Sequence, residues 1–269
     1  MEYLEFFLYG IIQGLTEFIP ISSTAHLKVI SLLLGIEDPG SSLSAIIQLG
    51  SILAIIWYFR NDIFKLRGQS PNTILYYLLK LKLLRSILIG TIPIVFLGGT
   101  IKYFAPYFFE QIFRSNLSIA IMSFSMAFFM YIAERSKKGF KNLKKHNYSD
   151  SFFIGLSQAF AIFPGVSRSG ITISTALVSG WKRVDAAKFS FLLGIPAISI
   201  AAIIEFITSF DNIFAFNIFP LIVGLASTFV SSLLAIEFLL NYFSSNGLKL
   251  FIIYRVVFGF VILLNLQIS

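Results

Sequence analysis

The 269 residues contain no cysteine and only two histidines. The first absence excludes disulfides, iron–sulfur clusters and thiolate zinc sites, and the second removes the basis for a histidine-built metal centre. Charge is scarce too, with Asp, Glu, Lys and Arg making up 13% of the chain. Windows free of all four recur at 42–59, 86–101, 115–133, 151–167, 189–204 and 212–236. Several approach the ~20 residues a helix needs to cross the hydrocarbon of a bilayer. What fills the sequence instead is apolar: 57% hydrophobic residues, 31 of them Phe, and a mean hydropathy of +0.83. Soluble domains hold about 45–50% apolar residues, so this is a membrane protein. Strict apolar/polar alternation over ~10-residue segments, the mark of an outer-membrane barrel, is missing. The fold class is an all-α polytopic membrane protein, a single integral membrane domain over 1–269.

The net charge of +8 does not point to nucleic acid. Its Lys and Arg sit in short loops beside apolar runs, where cytoplasmic placement and anionic membrane lipids account for them. The start, MEYLEFF, has two Glu and no basic residue before the first apolar run. It lacks the basic region of a cleavable signal peptide, so the first helix is expected to persist in the mature protein.

Two interruptions organise the chain: NDIFKLRGQSPN (61–72), followed by KLKLLR, and ERSKKGFKNLKKHNYSD (134–150), which has six Lys or Arg between 135 and 145. The second divides two similar halves, 1–134 and 151–269, with 135–150 as a basic loop. Set ungapped, GIIQGLTEFIPISSTA (10–25) and GLSQAFAIFPGVSRSG (155–170) match at Gly10/Gly155, Gln13/Gln158, Phe18/Phe163 and Ser22/Ser167. QLGS (48–51) and LLGI (192–195) line up at nearly the same spacing, and two agreeing blocks imply an internal duplication. In each half a helix breaks at proline, Ile19-Pro20-Ile21 or Pro164-Gly165, and restarts after serines, which are good N-caps. The first pair is expected at about 6–18 and up to Gly35, the second from about 152 to near Gly180. Pieces of this length reach roughly 18 Å, short of a bilayer of ~30 Å.

Such pairs read as re-entrant hairpins, because non-helical backbone at membrane depth is tolerated only inside protein or beside a wet cavity. Each hairpin would precede three spanning helices, at 42–60, 84–104 and 115–133, then 187–208, 216–240 and 249–267. Three crossings make the second repeat inverted. Both basic loops with Lys182, Arg183 and Lys249 then fall on one side, the cytoplasm. Lys102 and Arg114 fall on the other, with Glu2, Glu5, Glu37, Asp38, Glu110 and Asp211. The first hairpin's mouth would face outward.

The reactive side chains gather at the breaks. Gln13 and Glu17, four apart, share a helix face. Intramembrane ionisable groups are expensive and functional by default, and Glu17 suits either a divalent cation or proton transfer. Ser22, Ser23 and Thr24 head the next helix, whose N-terminal amides attract anions, with His26 one turn on. Serine beside histidine fits an activated nucleophile or simple capping. FPGVSRSGITIS (163–174) adds Arg168 between Ser167 and Ser169, with Thr172 a turn later. A guanidinium among hydroxyls suits phosphate, though pairing with Glu17 for structure alone would also explain it. If the two breaks meet about a pseudo-twofold axis, one pocket holds carboxylate, His, hydroxyls and Arg, the set that phosphoryl transfer requires.

QGLTEFIPISSTAH and PGVSRSGIT resemble the two signatures of the undecaprenyl-diphosphate phosphatases of the bacitracin-resistance type, in order, and QLGSILAI and FSFLLGIPA are similar to that family too. The resemblance spans nearly the whole chain. It implies divalent-cation-dependent hydrolysis of undecaprenyl diphosphate to the monophosphate carrier of peptidoglycan synthesis, in the bacterial plasma membrane, at an outward-facing site. By position, Glu17 matches the essential carboxylate, Gln13 a variable Glu/Gln, Ser23 and His26 the proposed catalytic serine and histidine, and Arg168 the phosphate-binding arginine. Ser167, Ser169 and Thr172 complete the second signature, while Ser22 and Thr24 fall to substrate binding. Gln13 leaves Glu17 as the only carboxylate for Mg²⁺ or Ca²⁺, and the motif does not decide which group attacks phosphorus. The expected partners are a polyprenyl diphosphate lipid and membrane lipids, with a homodimer left open. The competing reading is a transporter or flippase of a polyprenyl phosphate, since inverted repeats with broken helices also build transporters.

Overall fold

The structure, a computed structural model, describes residues 2–36, 40–61, 73–104, 112–136, 139–208 and 217–265. The basic stretch 62–72, and Glu37, Asp38, Glu110 and Asp211 used above to orient the chain, lie outside them. Among the described residues are ten α-helices and no strand: α1 Glu2–Phe18, α2 Ser23–Leu34, α3 Gly40–Tyr58, α4 Thr73–Phe104, α5 Asn116–Arg135, α6 Tyr148–Ala159, α7 Arg168–Val178, α8 Arg183–Thr208, α9 Ile218–Ser245 and α10 Lys249–Asn265. A short 3₁₀ turn, Phe160–Ile162, follows α6.

Segments of α4, α5, α8 and α9, namely Leu79–Ile101, Asn116–Arg135, Arg183–Thr208 and Ile218–Ser245, are long and apolar enough to cross a membrane. They leave Leu88, Ile92, Phe96, Phe128, Ile203, Ile222 and Leu234 exposed outward, as lipid-facing surfaces require. The protein is a multi-pass membrane protein. Among the described residues the apolar part of α3, Leu43–Tyr58, and α10, at 17 residues, are shorter than these four. Three spanning helices start earlier than expected, α3 at Gly40, α8 at Arg183 and, by the widest margin, α4 at Thr73 rather than at 84. KLKLLR is charged but made of strong helix formers, so it continues the helix instead of breaking it.

The helices pack in a definite pattern. α1 runs along α9 and α6 along α4; α3 lies on α9 and α8 on α4; α3 meets α8, and α5 meets α10. Close approach depends on small residues: a Cβ at Gly155 would stand 2.2 Å from the Gly90 carbonyl oxygen, and one at Gly10 would stand 2.4 Å from the Gly224 oxygen. Between membrane helices this contact replaces the hydrophobic drive available in water. The largest core cluster spans both broken pairs, with Phe18 edge-on to Phe191 at 5.0 Å.

The loop after α5 is also anchored. Lys141 pairs with Asp150 at 2.6 Å, and buried His146 donates from Nδ1 to the Leu143 carbonyl while its Nε2 accepts from Ser86. Burial, aided by nearby Lys82, holds the His146 pKa below its usual value.

Candidate active site

Both helix breaks fall where the sequence places them, and both take the same unusual backbone. Ser22 has φ 78° and Ser167 φ 72°, and these are the only non-glycine residues with positive φ among those described. Left-handed serine costs about 1–3 kcal/mol and persists only where the surroundings impose it. The serines then diverge. Ser167 Oγ caps α7 by accepting from Gly170 N at 3.1 Å, whereas Ser22 makes no side-chain cap on α2, contrary to the capping role expected of it. In that twisted conformation Ser22 lines the cavity, and its carbonyl takes both the His26 amide and the His26 ring.

The residue after each strained serine opens a helix, Ser23 on α2 and Arg168 on α7, and both reach the same carboxylate. Ser23 Oγ donates to Glu17 Oε2 at 2.9 Å, and Arg168 Nη2 donates to Glu17 Oε1 at 3.2 Å. Gln13 Nε2 donates to the same Oε2 at 2.7 Å. Two equivalent turns from two halves of the chain therefore deliver a hydroxyl and a guanidinium to one buried acid. The Arg168–Glu17 pair has side chains only 9% and 6% exposed, so each charge depends on the other.

Arg168 is held further by the Ser190 carbonyl, which accepts from Nη1 at 2.9 Å. Thr172 Oγ1 lies 2.7 Å from the Arg168 carbonyl and 2.6 Å from Ser190 Oγ. Ser169 Oγ donates to the Ile19 carbonyl of the first break at 3.3 Å. Both are fully buried rather than facing open space: Ser169 ties the second break to the first, and Thr172 ties α7 to α8.

A cavity of about 370 Å³ adjoins this cluster, lined by Glu17, Ser22, Ser23, Thr24, Ser167 and Arg168 on its polar side. Its apolar lining includes Ile94, Val95 and Gly98 of α4 and Ala197, Ile198 and Ile204 of α8, with Ser44, Gln48, Arg114 and Glu205 also contributing. The polar wall suits phosphate, and the apolar residues of α4 and α8 suit a hydrocarbon chain.

His26 sits elsewhere. Its helical turn brings it to the Ser22 backbone, not to a serine hydroxyl: Nδ1 donates to the Ser22 carbonyl at 2.7 Å, so Nε2 accepts from Tyr254 Oη at 2.6 Å. The ring stacks on Phe258 with centroids 4.2 Å apart, and the cavity lining does not include it.

Among the described residues no three His, Cys, Asp or Glu come together as a metal cage. The donors present, one carboxylate and one amide oxygen, are of the kind that a divalent cation such as Mg²⁺ or Ca²⁺ takes. Glu17 faces the cavity, and the Gln13 Oε1 beside it is buried with no partner among the described residues. Hard cations take such oxygens and complete their shells from substrate phosphates.

Arg255, in α10, escaped the sequence reading. It is fully buried, and its guanidinium donates to Pro20 O (2.8 Å), Gly165 O (2.9 Å) and Val166 O (2.8 Å), one carbonyl of the first break and two of the second. Its only available signal was a charge inside the apolar run FIIYRVVF.

Apolar helices around a buried polar cavity define an integral membrane protein with an internal site built from two helix breaks. The chain belongs to the bacitracin resistance protein BacA family, whose model matches residues 6–261. It is 74% identical over 266 residues to the undecaprenyl-diphosphatase of Prochlorococcus marinus strain AS9601, covering 99% of this chain and 97% of that protein. It is 75% identical to that of strain MIT 9312 (98% and 99% covered), and 44% identical to that of Synechococcus sp. strain CC9311 (96% and 92%).

Proposed function

We infer that the protein is an undecaprenyl-diphosphatase. It hydrolyses undecaprenyl diphosphate to undecaprenyl phosphate and inorganic phosphate, a reaction that returns the lipid carrier to peptidoglycan synthesis and underlies bacitracin resistance. The observation that carries this reading is the meeting of Glu17, Ser23 and Arg168 at the polar end of a half-apolar cavity, in a chain matched from end to end by undecaprenyl-diphosphatases.

Arg168 and the first backbone N–H groups of α2 hold the terminal phosphate, as charge-assisted donors and helix starts do. Ser23 Oγ, or a water in its place, attacks phosphorus, its proton passing to Glu17 Oε2. The bond to the bridging oxygen breaks, and the lipid monophosphate leaves. A phosphoserine formed by Ser23 is cleared by water. His26 acts at the first break, either holding the strained Ser22 turn or, on leaving the Ser22 carbonyl, exchanging protons. Ser22, Thr24 and Ser167 line the phosphate end, and Ser169 and Thr172 brace it. Glu17 and Gln13 would hold a divalent cation, which when bound neutralises charge building on the diphosphate.

The helix pairing supports a duplicated architecture. Exchanging α1 with α6, α2 with α7, α3 with α8, α4 with α9 and α5 with α10 leaves the contacts described above unchanged. On this reading α1–α2 and α6–α7 are re-entrant hairpins, and the second repeat is inverted. The cavity is lined from the starts of α3 and α5 and the later turns of α4 and α8, which in that arrangement all lie toward the outside. The purified protein, given undecaprenyl or farnesyl diphosphate with Mg²⁺, releases phosphate, and EDTA stops it. Flux of a polyprenyl phosphate through liposomes without phosphate release would favour a flippase instead.

A further inference from the structure

The aligned blocks QLGS and LLGI set Gly50 opposite Gly194, and the fold uses the two glycines differently. A Cβ on Gly50 would lie 2.6 Å from the Leu225 carbonyl oxygen and 2.8 Å from Thr228 Cβ. That glycine lets α3 close on α9. A Cβ on Gly194 would lie 2.2 Å from Nη1, 2.5 Å from Cζ and 2.9 Å from Nη2 of Arg168. All three atoms belong to the head of one flexible side chain. An added methyl there leaves the backbone of α8 in place and drives the guanidinium out.

We propose that Gly194 is a positioning residue of the reaction: the bare turn of α8 is the seat in which the Arg168 guanidinium lies. The proposal rests on the reading of Arg168 as the phosphate-holding group. The seat has a floor and a wall. Residue 194 is one helical turn beyond Ser190, so the two share a face, and the missing side chain leaves the Ser190 carbonyl open to a donor from outside the helix. Arg168 Nη1 is that donor, at 2.9 Å. The Ser190 hydroxyl meets Thr172 Oγ1 at 2.6 Å, which fixes α7 against the same turn. From this seat Nη2 reaches Glu17, while Nε stays buried without a partner among the described residues. The guanidinium is thus placed by α8 as much as by its own helix.

The test is a cycle of four proteins: wild type, Gly194→Ala, Arg168→Ala and the double variant, each read by phosphate release from farnesyl diphosphate with Mg²⁺ and by melting temperature in detergent. Gly194→Ala is expected to lower the rate by about 10²-fold, the scale of a misplacement near 1 Å. With Arg168 present the alanine lowers the melting temperature, because the Ser190 and Glu17 bonds are lost. With Arg168→Ala it leaves the temperature unchanged or raises it, since the space is vacant and alanine is the better helix former. If Gly194→Ala fails to fold while the double variant folds, the conflict is with Arg168 and the proposal stands. A wild-type rate in Gly194→Ala overturns it, as do equal melting shifts in both backgrounds or a double variant that fails to fold where Arg168→Ala alone folds. Absence of phosphate release from the wild type would instead sink the phosphatase reading, and the melting cycle would still decide the seat.

Discussion

At the scale of single residues, Glu17 is the hinge of the site because it accepts from three groups at once: Gln13, Ser23 and Arg168. Its charge opposes Arg168, and in the proposed reaction its Oε2, already hydrogen-bonded to Ser23 Oγ, takes the proton that leaves Ser23. Glu17→Gln keeps the shape and removes both services. General-base assistance contributes about 10²- to 10⁴-fold, so phosphate release by Glu17→Gln should fall by that order. A rate within twofold of wild type would remove Glu17 from the chemistry. The position that aligns with it in the second half of the sequence shows what the carboxylate adds. Gln158 corresponds to Gln13, but Ile162 stands where Glu17 would be, and both amide atoms of the buried Gln158 lack a partner among the described residues.

At the scale of elements, the two breaks are one device rather than two. Arg255 spans them from α10 with three hydrogen bonds to carbonyls that no helix can satisfy. Each carbonyl stripped of its donor costs about 1–3 kcal/mol. A lysine keeps the charge, but a compact ammonium cannot fan out to three acceptors. Arg255→Lys is therefore expected to fold and yet lose at least about tenfold in phosphate release, equivalent to ~1.4 kcal/mol in the barrier. Unchanged activity would mean that the breaks are held by α1, α2, α6 and α7 themselves. Little of this was legible beforehand. The proline breaks, the serine starts and the Glu–Arg complementarity were readable because they are local signatures with known backbone consequences. Arg255 and Gly194 were not, because their partners are backbone carbonyls and a side-chain head remote in sequence. Nor could the pattern tell that Ser167 caps and Ser22 does not, since that depends on which hydroxyl the neighbouring helices leave room to turn.

At the scale of the whole molecule, orientation decides whether the site meets substrate outside the cell. A chain without native cysteine offers a clean readout. Asn217, before α9, and Lys144, in the basic loop, are both exposed. Asn217→Cys is expected to react with a membrane-impermeant maleimide in spheroplasts, and Lys144→Cys only after permeabilisation. Labelling of both from one side would break the inverted arrangement of the second half.

The sequence by itself determined that the protein lives in a membrane, that its helices break twice at polar, proline-marked points, and which residues carry charge there. Composition, helix length and local backbone preference suffice for that, and each acts within a few residues. The tertiary structure alone decided that Ser23 and Arg168 share one carboxylate, that His26 turns to α10, that Arg255 locks both breaks and that Gly194 makes room for a guanidinium. Those outcomes depend on how closely helices distant in sequence approach. Close packing between membrane helices is set by small residues and individual hydrogen bonds, which leave no period in the chain to read.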